Sequence, residues 1–126
     1  MDDTIKIGQN SYTEKEALNQ AIKYHKAGEH QKAEYFYHFI NKYNPRNADV
    51  LHLSSLVLYH YGWVDSAIYW LKRAIVLNNK RPQYYYNLGL LYLDKGDHGE
   101  AKKCFTLALE CNADYQLAKN ELMRLN

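Results

Sequence analysis

The chain has 126 residues, 47% hydrophobic and 24% charged, with 2 prolines and 6 glycines, which excludes a disordered polar chain and leaves little room for an enzyme with a separate cofactor domain. A formal net charge of +2 is too small to point to nucleic acid or an anionic membrane surface. The 13 tyrosines, each a large ring with a polar tip, suit a protein that uses some of them at a surface.

Residues 1–13 show neither a basic segment followed by an apolar run nor a helical period, so they are expected to be a partly disordered extension. No stretch of the chain approaches the roughly 18 apolar residues of a membrane span, and a cytoplasmic location is expected. From Glu14 onward the chain repeats itself. Three segments, Glu14 to Asn47, Ala48 to Arg81 and Pro82 to Tyr115, align without a gap at a period of 34 residues. Down the columns stand Tyr24, Leu58 and Tyr92, then Gly28, Gly62 and Gly96, then Ala33, Ala67 and Ala101, then Tyr37, Leu71 and Phe105, then Ile40, Ala74 and Ala108. Inside each segment two runs of helical period flank the glycine, which predicts a helix, a tight turn and a second helix.

Start and stop signals agree with that reading. Thr13 with Glu16 and Asp97 with Glu100 have the spacing of a capping box, Pro82 suits a first helical turn, and Asn44-Pro45 closes the second helix of the first segment. Gln116 to Asn126 predicts one more helix, with Leu117, Leu122 and Leu125 for an inner face and Lys119, Glu121 and Arg124 for an outer one. A helix pair of this kind cannot bury its apolar stripe alone, so the units are expected to stack into an all-α, right-handed solenoid of three units (14–47, 48–81, 82–115) capped by 116–126.

The columns carry a family resemblance over Glu14 to Tyr115. In the third unit Tyr85, Leu88, Gly89, Tyr92, Ala101, Phe105 and Ala108 resemble the tetratricopeptide pattern of W-x2-L-G-x2-Y, A-x3-F and a following alanine. The first and second units depart from it with Gln20-Ala21 and Ser54-Ser55 in place of Leu-Gly, and only the first keeps the late proline, Pro45. Gly89 is then a packing residue and Gly96 a turn residue; neither has the strand-then-helix setting of a phosphate loop. The opening units are also similar, more weakly, to the repeat segments that precede catalytic domains in bacterial relatives of O-linked N-acetylglucosamine transferases and in some methyltransferases. That second resemblance implies an accessory or substrate-docking segment of such a system.

No chemistry-bearing constellation survives the repeat. Ser54 and Ser55 replace packing residues, and a helical serine bonds its own backbone four residues back. The six histidines (His25, His30, His38, His52, His60, His98) form no H-x3-H pair, so they read as solvated side chains, with no metal site. Cys104 and Cys111, seven apart on one helix and so roughly 10 Å apart, lie beyond disulfide reach and read as buried or semi-buried thiols. A non-catalytic chain without cofactor is expected.

What the resemblance implies for function is a groove lined by the first helix of each unit. Its outward positions are Leu18, Ile22 and His25, then His52, Leu56 and Tyr59, then Tyr86, Asn87, Leu90 and Asp94, an apolar and aromatic strip with polar edges. Such a strip either packs within the solenoid, for which Leu90 and Leu93 are the best candidates, or receives a peptide or helix of a protein partner. Tyr59 and Tyr86 are the expected anchors, with His52, Asn87 and Asp94 setting direction. The lysine-rich clamp that some family members use for a terminal carboxylate is missing, only Asn87 matching it. Tyr35, Phe39 and Tyr69 on second helices form a candidate patch for weak self-association.

Overall fold

A computed structural model describes residues 3–126, in which a short β-hairpin precedes seven helices. The hairpin pairs β1 (Ile5–Ile7) with β2 (Asn10–Tyr12); the helices are α1 (Glu14–Lys26), α2 (His30–Tyr43), α3 (Ala48–His60), α4 (Val64–Leu77), α5 (Pro82–Lys95), α6 (His98–Cys111) and α7 (Gln116–Leu125). The architecture is an all-α solenoid of repeated helix pairs with the hairpin at one end and α7 at the other.

Local chemistry explains where the helices begin and turn. The Thr13 hydroxyl accepts from the Glu16 amide at 3.1 Å while the Glu16 carboxylate accepts from the Thr13 amide at 2.8 Å, a reciprocal cap on α1. Asn47 caps α3 through the Val50 amide and Asp97 caps α6 through the Glu100 amide. Gly96 closes α5 at φ +86, a left-handed conformation in which a side chain would strain the backbone, and the equivalent glycines of the other two units take the same turn.

The residues buried between helices form two clusters. One joins the hairpin to the first unit through Ile5, Ile7, Ala17, Ala21, Phe36 and Ile40, and the other runs from Leu51 through the second and third units to Ala118 of α7. Helix α3 feeds both: Val50 and Val57 belong to the first cluster and Leu51 to the second. A helix held between neighbours needs apolar residues on more than one face, and α3, with the run ADVLHLSSLVLYH, has them.

Ile5–Tyr12 differs from the loose extension expected of it. Ile5 and Ile7 alternate with Lys6 across a two-residue turn at Gly8-Gln9, so both isoleucines face the same way and are 5% and 4% exposed against the first unit. Their burial covers the outer side of the first unit. The rest of that expectation, on residues 1–2, lies outside the described residues. In α7, Ala118 is buried and Leu122 and Leu125 pack on the core, whereas Leu117, read as an inner-face residue, is 50% exposed because the helix presents Ala118 to α6.

At Gly89 helix α5 lies directly against α6. A Cβ built there would lie 2.5 Å from Cε1 of Phe105, a ring that is fully buried and has nowhere to swing. Gly89→Ala is therefore expected to destabilise the fold by about 1–3 kcal/mol of overpacking, against the ~1 kcal/mol of helix propensity that alanine contributes. Urea unfolding measures the balance; a variant more stable than the parent would contradict this packing.

Candidate functional site

The period places Ile22, Leu56 and Leu90 at equivalent points of α1, α3 and α5, and Leu18, His52 and Tyr86 at another set of equivalent points. Their environments are not equivalent. Ile22 and Leu56 are half-buried and belong to neither core cluster. Leu18 packs against the first cluster; Tyr86, Leu90 and Leu93 pack against the second. The Tyr59 ring is 39% exposed. The Tyr86 ring is half-buried, 5.8 Å from both the Phe105 and the Tyr115 rings, and so is turned toward the capped end of the solenoid.

A polar seam between α3 and α5 ties several of these residues to one another. Tyr84 donates its hydroxyl proton to the Asp49 carboxylate, which also faces Arg81 at 3.6 Å, and the Arg81 guanidinium lies 5.4 Å above the Tyr84 ring. One turn along, Asn87 Nδ2 donates to His52 Nε2 at 2.7 Å; further on, the Tyr59 hydroxyl donates to Asp94 Oδ1 at 3.3 Å. Each of the three hydrogen bonds joins residues 35 apart, one repeat plus one position, so they run along a single seam.

His52 therefore does not face outward as a solvated groove residue. It is 3% exposed, with its ring 4.7 Å from Tyr84, because α5 lies over it. Burial, the largest influence, pushes its pKa down to about 4, with the Asp49 charge opposing and Arg81 and His25 adding to the shift. With Asn87 donating to Nε2, the neutral ring keeps its proton on Nδ1. Asn87 is committed to that bond, and Asp94 is exposed but shared with Tyr59.

His25 is likewise held within the structure. Its Nδ1 lies 2.9 Å from the Tyr37 hydroxyl, and its ring is 5.6 Å from His30, which stacks on His60 at 3.6 Å and 7°. Burial first, then His30 and His60, lower its pKa. Among the described residues no three His, Cys, Asp or Glu side chains are placed to hold a metal ion. Ser55 is buried and donates to the His52 carbonyl at 2.6 Å, three residues back rather than four. Cys104 is buried, and that burial pushes its thiol up to about 12. Cys111, read as at least semi-buried, is exposed, because it lies in the last turn of α6 where the helix runs out from the core.

Comparison with known proteins follows from this geometry. A family model described as a tetratricopeptide repeat matches residues 82–115, and a second, described as a TPR repeat, matches residues 56–96. Residues 56–115 thus carry the tetratricopeptide repeat. No curated protein matches it. Among solved structures, a mutant O-GlcNAc transferase of Thermobaculum terrenum is 27% identical, with a TM-score of 0.83 over 89% of this chain and 22% of that one. The chain thus spans about a fifth of that transferase. The first TPR of Spaghetti (RPAP3), bound to the HSP90 peptide SRMEEVD, is 22% identical with a TM-score of 0.81 over 86% of both chains. The Yersinia enterocolitica type III secretion chaperone SycD, in complex with a peptide of the translocator YopD, is 19% identical with a TM-score of 0.77 over 88% of this chain and 85% of that one. The last two likenesses concern the fold alone. Among the described residues no helix of this repeat protein is long and apolar enough to cross a membrane.

Sequence reasoning missed the seam contacts of Tyr84 and Arg81. The available signal was polar residues recurring one repeat plus one position apart on first helices. The seam also sets a pH dependence. A buried histidine whose folded pKa lies below its ordinary value of 6.5 contributes stability that is full above pH 6.5 and is lost as pH falls toward about 4. His25, lowered in the same sense, adds to the loss below pH 6.5. Stability is expected to drop by about 3 kcal/mol across it, and His52→Gln is expected to flatten that slope. Urea unfolding at a series of pH values reads this directly; an unchanged slope in the variant would contradict a buried neutral His52.

Proposed function

We propose that this repeat protein is a non-catalytic interaction scaffold that takes a peptide or helix of a partner protein on the face formed by α1, α3 and α5. One observation carries the reading: Ile22 and Leu56 are half-exposed aliphatics one repeat apart, outside both core clusters, beside the exposed ring of Tyr59. Apolar side chains left over after the core is complete and rimmed by polar groups are the usual mark of a partner site. Two proteins of similar fold hold peptides in their structures, the Spaghetti repeat and SycD, which supports this use of the fold.

The residues divide by what the fold leaves available. Ile22 and Leu56 form the apolar floor, with Leu18 and Leu90 supporting it from their core contacts. Tyr59 is the aromatic anchor, and Asp94, His25 and Tyr86 stand at the edges. His52 and Asn87 satisfy each other and hold α5 in place, so they shape the face from beneath. With Asn87 occupied, no residue of a terminal-carboxylate clamp is free, and recognition rests on apolar burial.

A second reading is favoured by the likeness to the Thermobaculum terrenum transferase: the same face docks an acceptor protein for a glycosyltransferase. The two readings share the site and differ in the partner's fate, since only the second leaves the captured protein modified.

Peptide selection from a displayed library tests the site. Leu56→Asp and Tyr59→Ala are each expected to weaken selected peptides by about 2 kcal/mol, while Tyr69→Ala, an exposed ring on α4, leaves affinity unchanged. Full affinity in Leu56→Asp would contradict the proposal.

A further inference from the structure

The inter-helix turns of the first two units meet through histidines. His30 opens α2 and His60 closes α3, and their rings lie face to face, 3.6 Å apart and 7° from parallel. The His25 ring of α1 stands 5.6 Å from His30, and its Nδ1 lies 2.9 Å from the Tyr37 hydroxyl, so a line of polar rings runs from the first core cluster to the α3–α4 turn. Among the described residues neither stacked ring has a hydrogen-bond partner, and stacking joins them. The next seam is built otherwise. One repeat on, the equivalent positions hold Val64 and Asp94, and Asp94 accepts from the Tyr59 hydroxyl. Paired imidazoles therefore belong to the first seam and not to the second.

Two neutral imidazoles stack well, and one charged ring on a neutral one is tolerated, but two imidazoliums at this spacing repel. Whether that repulsion is relieved depends on the counter-charges nearby. In the last turn of α1, Lys23 and Lys26 flank His25 and add positive charge only. At the start of α2 the Glu29 carboxylate is shared with Lys32 at 3.2 Å. Tyr61 brings an uncharged phenol ring 5.4 Å from His60. On α4 the Asp65 carboxylate is held by Lys95 at 2.7 Å, and on α5 Asp94 is shared with Tyr59. Among the described residues no carboxylate is left over to sit between two charged rings. The helix ends add to the imbalance, since a charge on His60 suits the C-terminal end of α3 whereas a charge on His30 faces the positive end of α2. His25 feels the same field: after burial, the His30 and His60 charges are what lower its pKa.

We propose that the His30–His60 stack is a proton-operated latch between the first and second units, closed while at most one ring is charged and open when both are. Opening parts the two turns. At the other end of α1 the seam stays fastened, because the Glu14 carboxylate accepts from Asn44 Nδ2 at 3.0 Å and from Asn47 Nδ2 at 2.6 Å. The movement is therefore a swing about the Glu14 end. Histidine changes its charge between about pH 5 and 8, so the latch works in mild acid, above the region near pH 4 where His52 takes up its proton. Ile22 and Leu56 lie on α1 and α3, one on each side of this seam, and opening changes their spacing. Release of a peptide from them in acid rests on the use proposed above for that face; the latch itself does not.

Spin labels at Ala27→Cys, in the α1–α2 turn, and Ser66→Cys, in the first turn of α4, read the spacing of the two turns in the whole chain with no peptide present. Both positions are exposed, and Cys111→Ser removes the other exposed thiol. From about pH 7.5 to about pH 5 the label distance is expected to move reversibly to a longer population with helical content unchanged. His60→Phe keeps a ring for the stack but has no proton site, and is expected to hold the short distance throughout. His98→Gln, which alters an exposed histidine outside the cluster, is expected to move as the parent does. A parent distance that stays constant over this range, an equal movement in His60→Phe, a movement lost in His98→Gln, or a loss of helix accompanying it would each overturn the latch. None of these outcomes bears on the partner face, because no peptide takes part.

Discussion

No helix pair in this chain buries its own apolar stripe, and every other feature follows from the way neighbouring units do it for each other. Helix α3 shows the constraint at its strongest, since Val50 and Val57 face the first core cluster while Leu51 faces the second. Sharing of this kind makes the seams between units as decisive as the helices themselves. At one seam the contact is polar: Asp49 with Tyr84, His52 with Asn87, and Tyr59 with Asp94 fasten α3 to α5 in a fixed register. At both open ends the constraint is met by something outside the repeat, the Ile5 and Ile7 hairpin on one side and Ala118 of α7 on the other.

The repeat was legible in the sequence because its determinants are local. Gly96 has to adopt a left-handed turn, Gly89 has to be small against Phe105, and Thr13 with Glu16 has to cap a helix; each leaves a residue type at a fixed column. The hairpin was not legible at the same level, because Ile5-Lys6-Ile7 is too short to show alternation convincingly until the open end of α1 and α2 is there to bury it. His52 was misjudged for a related reason. Its column faces outward on the isolated helix, and only the arrival of α5 with Asn87 over it turns an outward position into a buried one. Cys111 illustrates the converse, a position with core spacing that lies past the point where the core ends.

Departures from the repeat prove as informative as the repeat. Where a column that is apolar elsewhere turns polar, the consequence depends on what neighbours it. At Ser55 the hydroxyl is absorbed by the His52 carbonyl, and the position remains structural. At Asn41, where the other two units have Ile75 and Leu109, the side-chain oxygen is buried with no donor among the described residues. On α1, α3 and α5 the residues divide in the same way: some of the strip is drawn into the core or the seam, and Ile22, Leu56 and Tyr59 remain outside it.

The most direct measurement of partner recognition on the α1–α3–α5 face is site-specific photo-crosslinking in native cells. One variant carries p-benzoylphenylalanine in place of Leu56, and the control carries it in place of Leu107, an exposed residue of α6. Recognition on this face predicts a covalent adduct with a discrete protein from position 56 and none from position 107. An adduct formed from position 107 with none from position 56 would contradict it.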